Sequence, residues 1–358
     1  MPDTQKTVAV GMSGGVDSSV AAALLVEQGY KVIGIMLRLW SDPGSSAENA
    51  CCTPDSMAIA RRVAGRLGIP FYAIDAQDDF FSSVVQPFIN GFAGGITPNP
   101  CLLCNRQIRW GRMLEEARNF GCDYLATGHY AQVIHQPGQA SRLLKGLDQS
   151  KDQSYVLARL SQEQLSATIL PLGGLTKIQV REIAHRYKFA SADRPDSQDL
   201  CFLGNRSIQS FLTEHSPASM ATGDIIDLEG HILGKHNGLP LYTIGQRKGI
   251  RVSADEPYYV YRKDMVTNTL IVTTRDQLGN ASFALQDLIW TLGNPPDESI
   301  PYDVKIRYRA QQAECRIHTS SNGVRVTLTE PLVDITPGQA AVFYLKDEVI
   351  GSGIIAQP

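Results

Sequence analysis

Three segments of this chain carry residue types and spacings that can do covalent chemistry. The first, Gly11-Met12-Ser13-Gly14-Gly15-Val16-Asp17-Ser18-Ser19, is a hydroxyl-rich turn between a strand pattern and a helical one. Its paired glycines let the backbone approach a phosphate closely, and a helix start offers N–H groups without intrahelical partners, so the turn suits an anion. Asp17 adds negative charge there, which implies a Mg2+ ion between carboxylate and phosphate. No Gly-Lys-Ser/Thr follows, which excludes the kinase and GTPase type of phosphate loop. The second segment, Thr97-Pro98-Asn99-Pro100-Cys101-Leu102-Leu103-Cys104-Asn105-Arg106, uses two prolines to stiffen a loop and deliver Cys-x-x-Cys at a helix start. A helix N-terminus favours thiolate. The third, Arg194-Pro195-Asp196-Ser197-Gln198-Asp199-Leu200-Cys201-Phe202, is a polar loop ending in a lone cysteine. No second Cys pair completes a zinc site. Cys51, Cys52, Cys122 and Cys315 read as structural, His185 and His318 as structural or exposed, and no Ser/His/Asp arrangement points to a hydrolase.

The elements that must position these groups alternate over the first two hundred residues. Strand-like runs at 7–12, 31–37, 71–75 and 123–127 are separated by helical patterns at 17–28, 54–67, 77–90 and 105–120. The helix at 54–67 has Thr53 as its cap, Pro54 at its first position and Gly68 as its stop. Such alternation predicts an α/β domain, a doubly wound parallel sheet covered by helices on both faces, with ligands at the carboxyl ends of the strands. Beyond about residue 205 short strands take over. Runs at 224–228, 241–243, 258–262 and 270–274 predict a small central unit, and runs at 283–290, 304–308, 314–319, 324–329, 340–345 and 351–356 predict a C-terminal β-barrel. The expected domains are 1–205, 206–278 and 279–358.

Length and composition agree with this plan. At 358 residues the chain is long enough for two or three domains, and 43% hydrophobic with 19% charged residues is ordinary for a globular protein. The start of the chain lacks the pattern of a signal peptide and no apolar run could span a bilayer, so a cytoplasmic protein is expected. In a reducing compartment, seven cysteines point to metal, redox or nucleophilic use rather than a disulfide framework. The net charge of −3 makes no global case for a nucleic-acid partner. Local basic runs do exist: Arg106, Arg109, Arg112 and Arg118 on one predicted helix, Arg247, Lys248 and Arg251, and Lys305, Arg307 and Arg309. The last three alternate along a predicted strand, so that one face could track a phosphate backbone.

The motif Ser13-Gly14-Gly15-Val16-Asp17-Ser18 resembles the PP-loop of ATP pyrophosphatases, the adenine nucleotide alpha hydrolase-like fold, which releases pyrophosphate and transfers AMP. Further motifs extend the resemblance over nearly the whole chain: Thr97 to Pro100, Cys104-Asn105, Thr127-Gly128-His129-Tyr130, Lys151-Asp152-Gln153-Ser154-Tyr155, Ser197 to Phe202, Tyr242 to Gly249, Arg307-Tyr308-Arg309 and Thr336-Pro337-Gly338-Gln339. In that order they are similar to the tRNA-specific 2-thiouridylases, which place sulfur on C2 of the wobble uridine (position 34).

That resemblance implies an ATP site at Gly11, Met12, Ser13, Gly14, Gly15, Val16, Asp17 and Ser18, with Met36 and Gly128 near the nucleoside. It implies adenylation of uracil O2, Cys201 as persulfide carrier, and Cys104 as partner nucleophile or disulfide partner. Asn99, Pro100 and Cys101 would meet the flipped target base. His129, Lys151, Asp152, Gln153, Arg307, Tyr308 and Gln339 would contact tRNA. The implied partners are the tRNAs for lysine, glutamate and glutamine, and a cysteine desulfurase or sulfur-carrier protein as donor. Many members carry Asp where this chain has Cys101. Cys101, Cys104 and Cys201 together form a three-thiolate set able to hold an iron–sulfur cluster, so sulfur delivery by persulfide and from a cluster both stand. The competing readings are another PP-loop enzyme, either an ammonia-using synthetase, which needs no such cysteines, or a different tRNA sulfurtransferase, and a nucleotide-binding redox or iron–sulfur sensor, which would release no AMP in response to tRNA.

Overall fold

A computed structural model describes residues 5–42, 53–195, 200–252, 256–321 and 323–357. Cys51, Cys52 and the stretch Asp196 to Asp199 lie outside the described residues. Strands β1 (Thr7–Gly11), β2 (Lys31–Arg38), β3 (Phe71–Asp75), β4 (Tyr124–Ala126) and β7 (Thr168–Ile169) form a parallel sheet in the order β3-β2-β1-β4-β7. Val8, Ala9 and Val10 of β1 are fully buried because helices cover both faces of the sheet. The order reverses between β1 and β4, and a crevice at such a switch point is where ligands bind. Helix α1 (Val16–Glu27) buries Val20, Ala21, Ala22, Ala23 and Leu25 against it. Helix α2 (Pro54–Leu67) starts and stops as its sequence dictates: Thr53 Oγ1 accepts from the Ser56 N–H at 3.1 Å, and Gly68 takes φ 68°.

The expected helix at 105–120 begins earlier and is wound differently. A short turn at Pro100–Leu103 runs into a π-helical stretch at Cys104–Met113 before the α-helix Leu114–Asn119. Gln164 Nε2 donates to the Arg106 and Trp110 carbonyls at 2.9 Å each, supporting backbone that widened winding leaves under-bonded. The central unit is a four-stranded sheet of β8 (Gly223–Ile226), β9 (Ile232–His236), β10 (Tyr259–Asp264) and β11 (Thr269–Thr273). The run expected at 241–243 is not a strand: Leu239–Leu241 form a 3-10 turn, as the proline at 240 favours, and residues 242–243 pair with no sheet.

Strands β12 (Asn280–Trp290), β13 (Tyr302–Lys305), β14 (Ala313–Ser320), β15 (Gly323–Leu332), β16 (Ala340–Leu345) and β17 (Glu348–Ile355) close into a barrel through β12–β17 pairing. A hairpin that sequence periodicity missed, β5 (Ala131–Ile134) with β6 (Arg142–Lys145), extends this sheet from the N-terminal domain, and Arg142 there pairs with Glu348. Strand β16 is buried on both faces. Ala341 and Phe343 fill the barrel, whereas Ala340, Val342 and Tyr344 join the core beneath the parallel sheet. No helix among the described residues is long and apolar enough to cross a membrane.

Phe343→Ala removes a fully buried ring from the barrel and should cost about 3–5 kcal/mol, against under about 0.5 kcal/mol for Leu345→Ala on the surface. Urea unfolding midpoints at unchanged slope measure both.

Candidate active site

The turn after β1 is shaped by close packing. Gly14 has φ 74°, and a Cβ there would lie 2.3 Å from the Ser56 carbonyl oxygen, so only glycine fits. Gly128, at the end of β4, packs so tightly on the first turn of α1 that a Cβ would stand 2.7 Å from Asp17 carbonyl carbon. Gly15 is the N-cap of α1 and makes no side-chain cap bond. Ser18 Oγ accepts from the Ser13 N–H at 3.2 Å, and Ser19 Oγ donates to the Gly15 carbonyl at 2.8 Å, holding the turn open at its mouth. Met12 and Met36 are both buried in the core on the α1 side of the sheet.

Two cations that sequence reading missed face this turn. Lys177 Nζ donates to both Asp17 carboxylate oxygens, at 2.8 and 2.9 Å, and Tyr130 donates its hydroxyl to Asp17 at 2.7 Å. Arg194 reaches the Gly14 carbonyl at 3.4 Å and Ser56 Oγ at 3.2 Å. Asp17 is thus paired with protein groups, where the sequence alone suggested a place for Mg2+. A single carboxylate still suits an ion that arrives with nucleotide phosphates supplying its other ligands. Lys177 sits at the first position of the helix Lys177–Arg186, capped by Thr176 and Gln179. A cation at a helix start opposes the helix dipole, which is the one signal that could have exposed it.

Around the cysteines, Asn99 Oδ1 accepts from the Cys101 N–H at 3.1 Å, and Asn105 donates to the Val156 carbonyl at 3.0 Å. Cys101 is exposed, Cys104 buried and Cys201 half-buried, and Cys104 and Cys201 pack on the same core. The three sulfurs are not all within 4.8 Å of one another, too open a set for a single ion. A multi-iron cluster spaces its ligands more widely, and three thiols suit it in kind. Burial pushes the Cys122 thiol up to about 11 and Cys315 to about 12, leaving both inert at neutral pH.

The barrel reaches the cysteine loop directly. Thr97 N–H donates to the Pro337 carbonyl at 2.9 Å, Gln339 Nε2 donates to the Thr97 carbonyl at 2.6 Å, and Gly338 at φ 89° lies flat on Ile96. Tyr155 donates to the Ala340 carbonyl at 2.9 Å, and its ring stands 6.1 Å from that of Tyr308. Burial raises the Tyr308 pKa, with Asp152 and Cys101 adding to the effect. Lys305 lies over the Tyr308 ring at 5.7 Å.

Several residues expected at the tRNA surface are turned inward. His129 is buried against Trp110 with its Nδ1 2.7 Å from Thr127 Oγ1, and burial, aided by Arg109, lowers its pKa to about 3. Asp152 is buried and accepts from the Gly146 and Ser154 N–H groups. Gln153 exchanges hydrogen bonds with the Tyr130 backbone in both directions, so it holds the residue that holds Asp17. Arg307 donates to the Ile244 and Asp334 carbonyls at 2.9 Å each. Strand β13 stops at Lys305, so Lys305, Arg307 and Arg309 do not share one strand face. Arg112 pairs with Asp79, Glu115 and Glu116, Arg118 with Glu163, and Arg106 with Asp287, which neutralises most of that helix. Tyr308, Arg247, Lys248 and Arg251 are exposed, and Lys151 is partly so.

Residues 6–205 match the family described as tRNA methyl transferase HUP domain, 209–274 its PRC-barrel domain, and 280–355 the aminomethyltransferase beta-barrel domain. The chain is 44% identical to the tRNA-specific 2-thiouridylase MnmA of Chloroflexus aurantiacus over 98% of each chain. It is 43% identical to the protein of the same name from Symbiobacterium thermophilum, over 98% of this chain and 92% of the relative. Among solved structures, NMN synthetase from Francisella tularensis shares 19% identity over 58% of this chain and 72% of its own, with a TM-score of 0.35, too low to carry more.

A histidine held neutral to about pH 3 destabilises the fold as acid is added, because the unfolded chain takes up its proton first. Between pH 6.5 and 3 the wild type should therefore lose up to about 1.4 kcal/mol per pH unit more than His129→Gln. Thermal midpoints of the two proteins across that range check the sign.

Proposed function

The chain belongs to the tRNA-specific 2-thiouridylase family, and from that premise we propose that it uses ATP to exchange oxygen for sulfur at C2 of uridine 34 in the tRNAs for lysine, glutamate and glutamine, in the cytoplasm. The observation that carries the proposal is the meeting of the two chemistries. Asp42, four residues beyond β2, donates its N–H to the Phe202 carbonyl at 3.3 Å, which brings the Cys201 turn to the carboxyl edge of the sheet where the phosphate turn opens.

ATP binds with its Mg2+ on Gly11 to Ser18, with Met36 and Gly128 behind the nucleoside. Uracil O2 attacks the α-phosphorus and pyrophosphate leaves. Its charge is met by the N–H groups at the start of α1, by Lys177 and by Arg194, and Asp17 would hold the Mg2+ that screens the phosphates. The terminal sulfur of a Cys201 persulfide then attacks C2, and O2 departs with AMP. Cys104 thiolate attacks the Cys201 sulfur, freeing 2-thiouridine and leaving a Cys104–Cys201 disulfide. Two electrons from a thiol reductant reopen it before a cysteine desulfurase or sulfur carrier reloads Cys201.

The flipped base lies against Asn99, Pro100 and Cys101. Tyr308, Lys151, Arg247, Lys248 and Arg251 meet tRNA, while His129, Asp152, Gln153, Arg307 and Gln339 hold those surfaces in place. The exposed third thiol, Cys101, favours a second reading: Cys101, Cys104 and Cys201 as ligands of an iron–sulfur cluster, which would supply an open iron for activated sulfide.

Incubation with unmodified tRNA, ATP and a persulfide donor, read by mass spectrometry, should yield 2-thiouridine. On the persulfide route Cys104→Ala and Cys201→Ala each lose about 1,000-fold or more. Cys101→Ala, prepared free of iron, keeps activity within about tenfold. Loss of activity in Cys101→Ala together with loss of the visible absorbance of anaerobically reconstituted protein would establish the cluster route instead. Lys177→Met should slow tRNA-dependent AMP release by about 100-fold or more.

A further inference from the structure

The turn that carries Cys201 is held by a charged network that the chemistry above does not use. Phe202 is 2% exposed and packs its ring against Phe88 and Phe211 at 5.2 and 5.7 Å, which anchors the turn to the core. An aromatic anchor restrains depth more than direction. Direction comes from Arg206, five residues after Cys201, whose guanidinium pairs with Asp42 on one side and with Glu214 on the other at 2.6 Å. The Asp42 side chain is wholly buried and Arg206 is 15% exposed, so water screens this pair little. Arg206 also donates to Ser210 Oγ at 3.1 Å, on the helix Ile208–His215, and His215 Nε2 stands 3.4 Å from the second Asp42 oxygen. Asp42, Glu214 and His215 bring their ligand atoms within 4.8 Å of one another, as a metal site would, but the Arg206 guanidinium lies among them.

We propose that the Asp42–Arg206 pair is a positioning lock, which ties the Cys201 turn to the end of strand β2 and so fixes the sulfur-bearing cysteine relative to the nucleotide. It closes from both ends: the Asp42 N–H binds the Phe202 carbonyl at 3.3 Å while the Asp42 carboxylate binds Arg206, so one residue grips the turn on either side of Leu203, Gly204 and Asn205. The guanidinium's rigid fork can meet Asp42, Ser210 and Glu214 together, whereas a lysine ammonium in its place would leave donors misaligned. Strand β2 also carries Met36, which the proposed function puts behind the nucleoside, so on that reading the lock sets the reach between adenylated uracil and sulfur. It acts on the transfer step and leaves adenylation alone.

This inference rests on Cys201 as the sulfur carrier, and the test separates the two. Full-length Asp42→Asn, Arg206→Lys and Arg206→Met are compared with the wild type at a temperature where circular dichroism shows each folded. The first two are conservative, so at least one remains measurable if Arg206→Met does not fold. Cys201 and Cys101 are alkylated with iodoacetamide in the same sample, and their rates are read as a ratio by peptide mass spectrometry, which removes the effect of folded fraction. The Cys201 to Cys101 ratio should change about fivefold or more. Adenylated uracil that the sulfur does not reach is attacked by water at C2, which returns uridine and AMP, so 2-thiouridine formed per AMP released should fall about tenfold with KM for ATP unchanged. A merely structural role would lower both steps together and leave that yield constant. An unchanged labelling ratio in the folded variants overturns the lock, as does an unchanged yield. Cys201→Ser that still thiolates tRNA overturns the carrier reading alone, because the ratio measured in the lock variants does not depend on it.

Discussion

The burial of β16 on both faces is the constraint from which the site follows. A strand that fills a barrel with Ala341 and Phe343 while presenting Ala340, Val342 and Tyr344 to another domain's core cannot move without exposing one set or the other. That double burial brings the 336–339 turn onto Thr97 and places Tyr155 under Tyr308. The barrel thereby packs against the loop that carries Cys101 and Cys104. Its hydrogen bonds to the Thr97 backbone restrain a loop that two prolines and the Asn99 cap have already stiffened, so little freedom remains in it to be lost on binding.

Electrostatics at the phosphate turn is arranged on the same principle. Asp17 is balanced by Lys177 and Tyr130, and Tyr130 is in turn held by Gln153. Charges are therefore oriented before nucleotide arrives, which is how a preorganised site avoids reorganisation during reaction. The overall charge of −3 is compatible with an RNA substrate because the arginines facing carboxylates are neutralised locally, while Arg247, Lys248 and Arg251 remain on the surface. Local distribution, not the sum, decides where a polyanion can land.

The inward-facing members of the motifs have a common physical explanation. Arg307 and Asp152 each satisfy two backbone groups and Gln339 satisfies the Thr97 carbonyl, and buried backbone polar groups must be satisfied. A residue in such a role is as constrained as one that touches substrate. A motif read from one sequence therefore cannot distinguish the two.

What the sequence determined by itself was whatever depends on neighbours along the chain: the alternation that makes a parallel sheet, the cap and stop of α2, the glycine turn after β1 and the stiffened Cys-x-x-Cys loop. These rest on local sterics and on hydrophobic periodicity, which short segments carry. Tertiary structure alone decided that Lys177, 160 residues from Asp17, would neutralise it, that the hairpin β5–β6 would join the barrel sheet, and that Asp42 would meet Arg206. It also decided that the strand expected to carry Arg307 would stop at Lys305 and turn that arginine inward. Pairings of this kind depend on how whole domains pack, and a charge or a strand edge does not declare in sequence which distant partner that packing will bring to it.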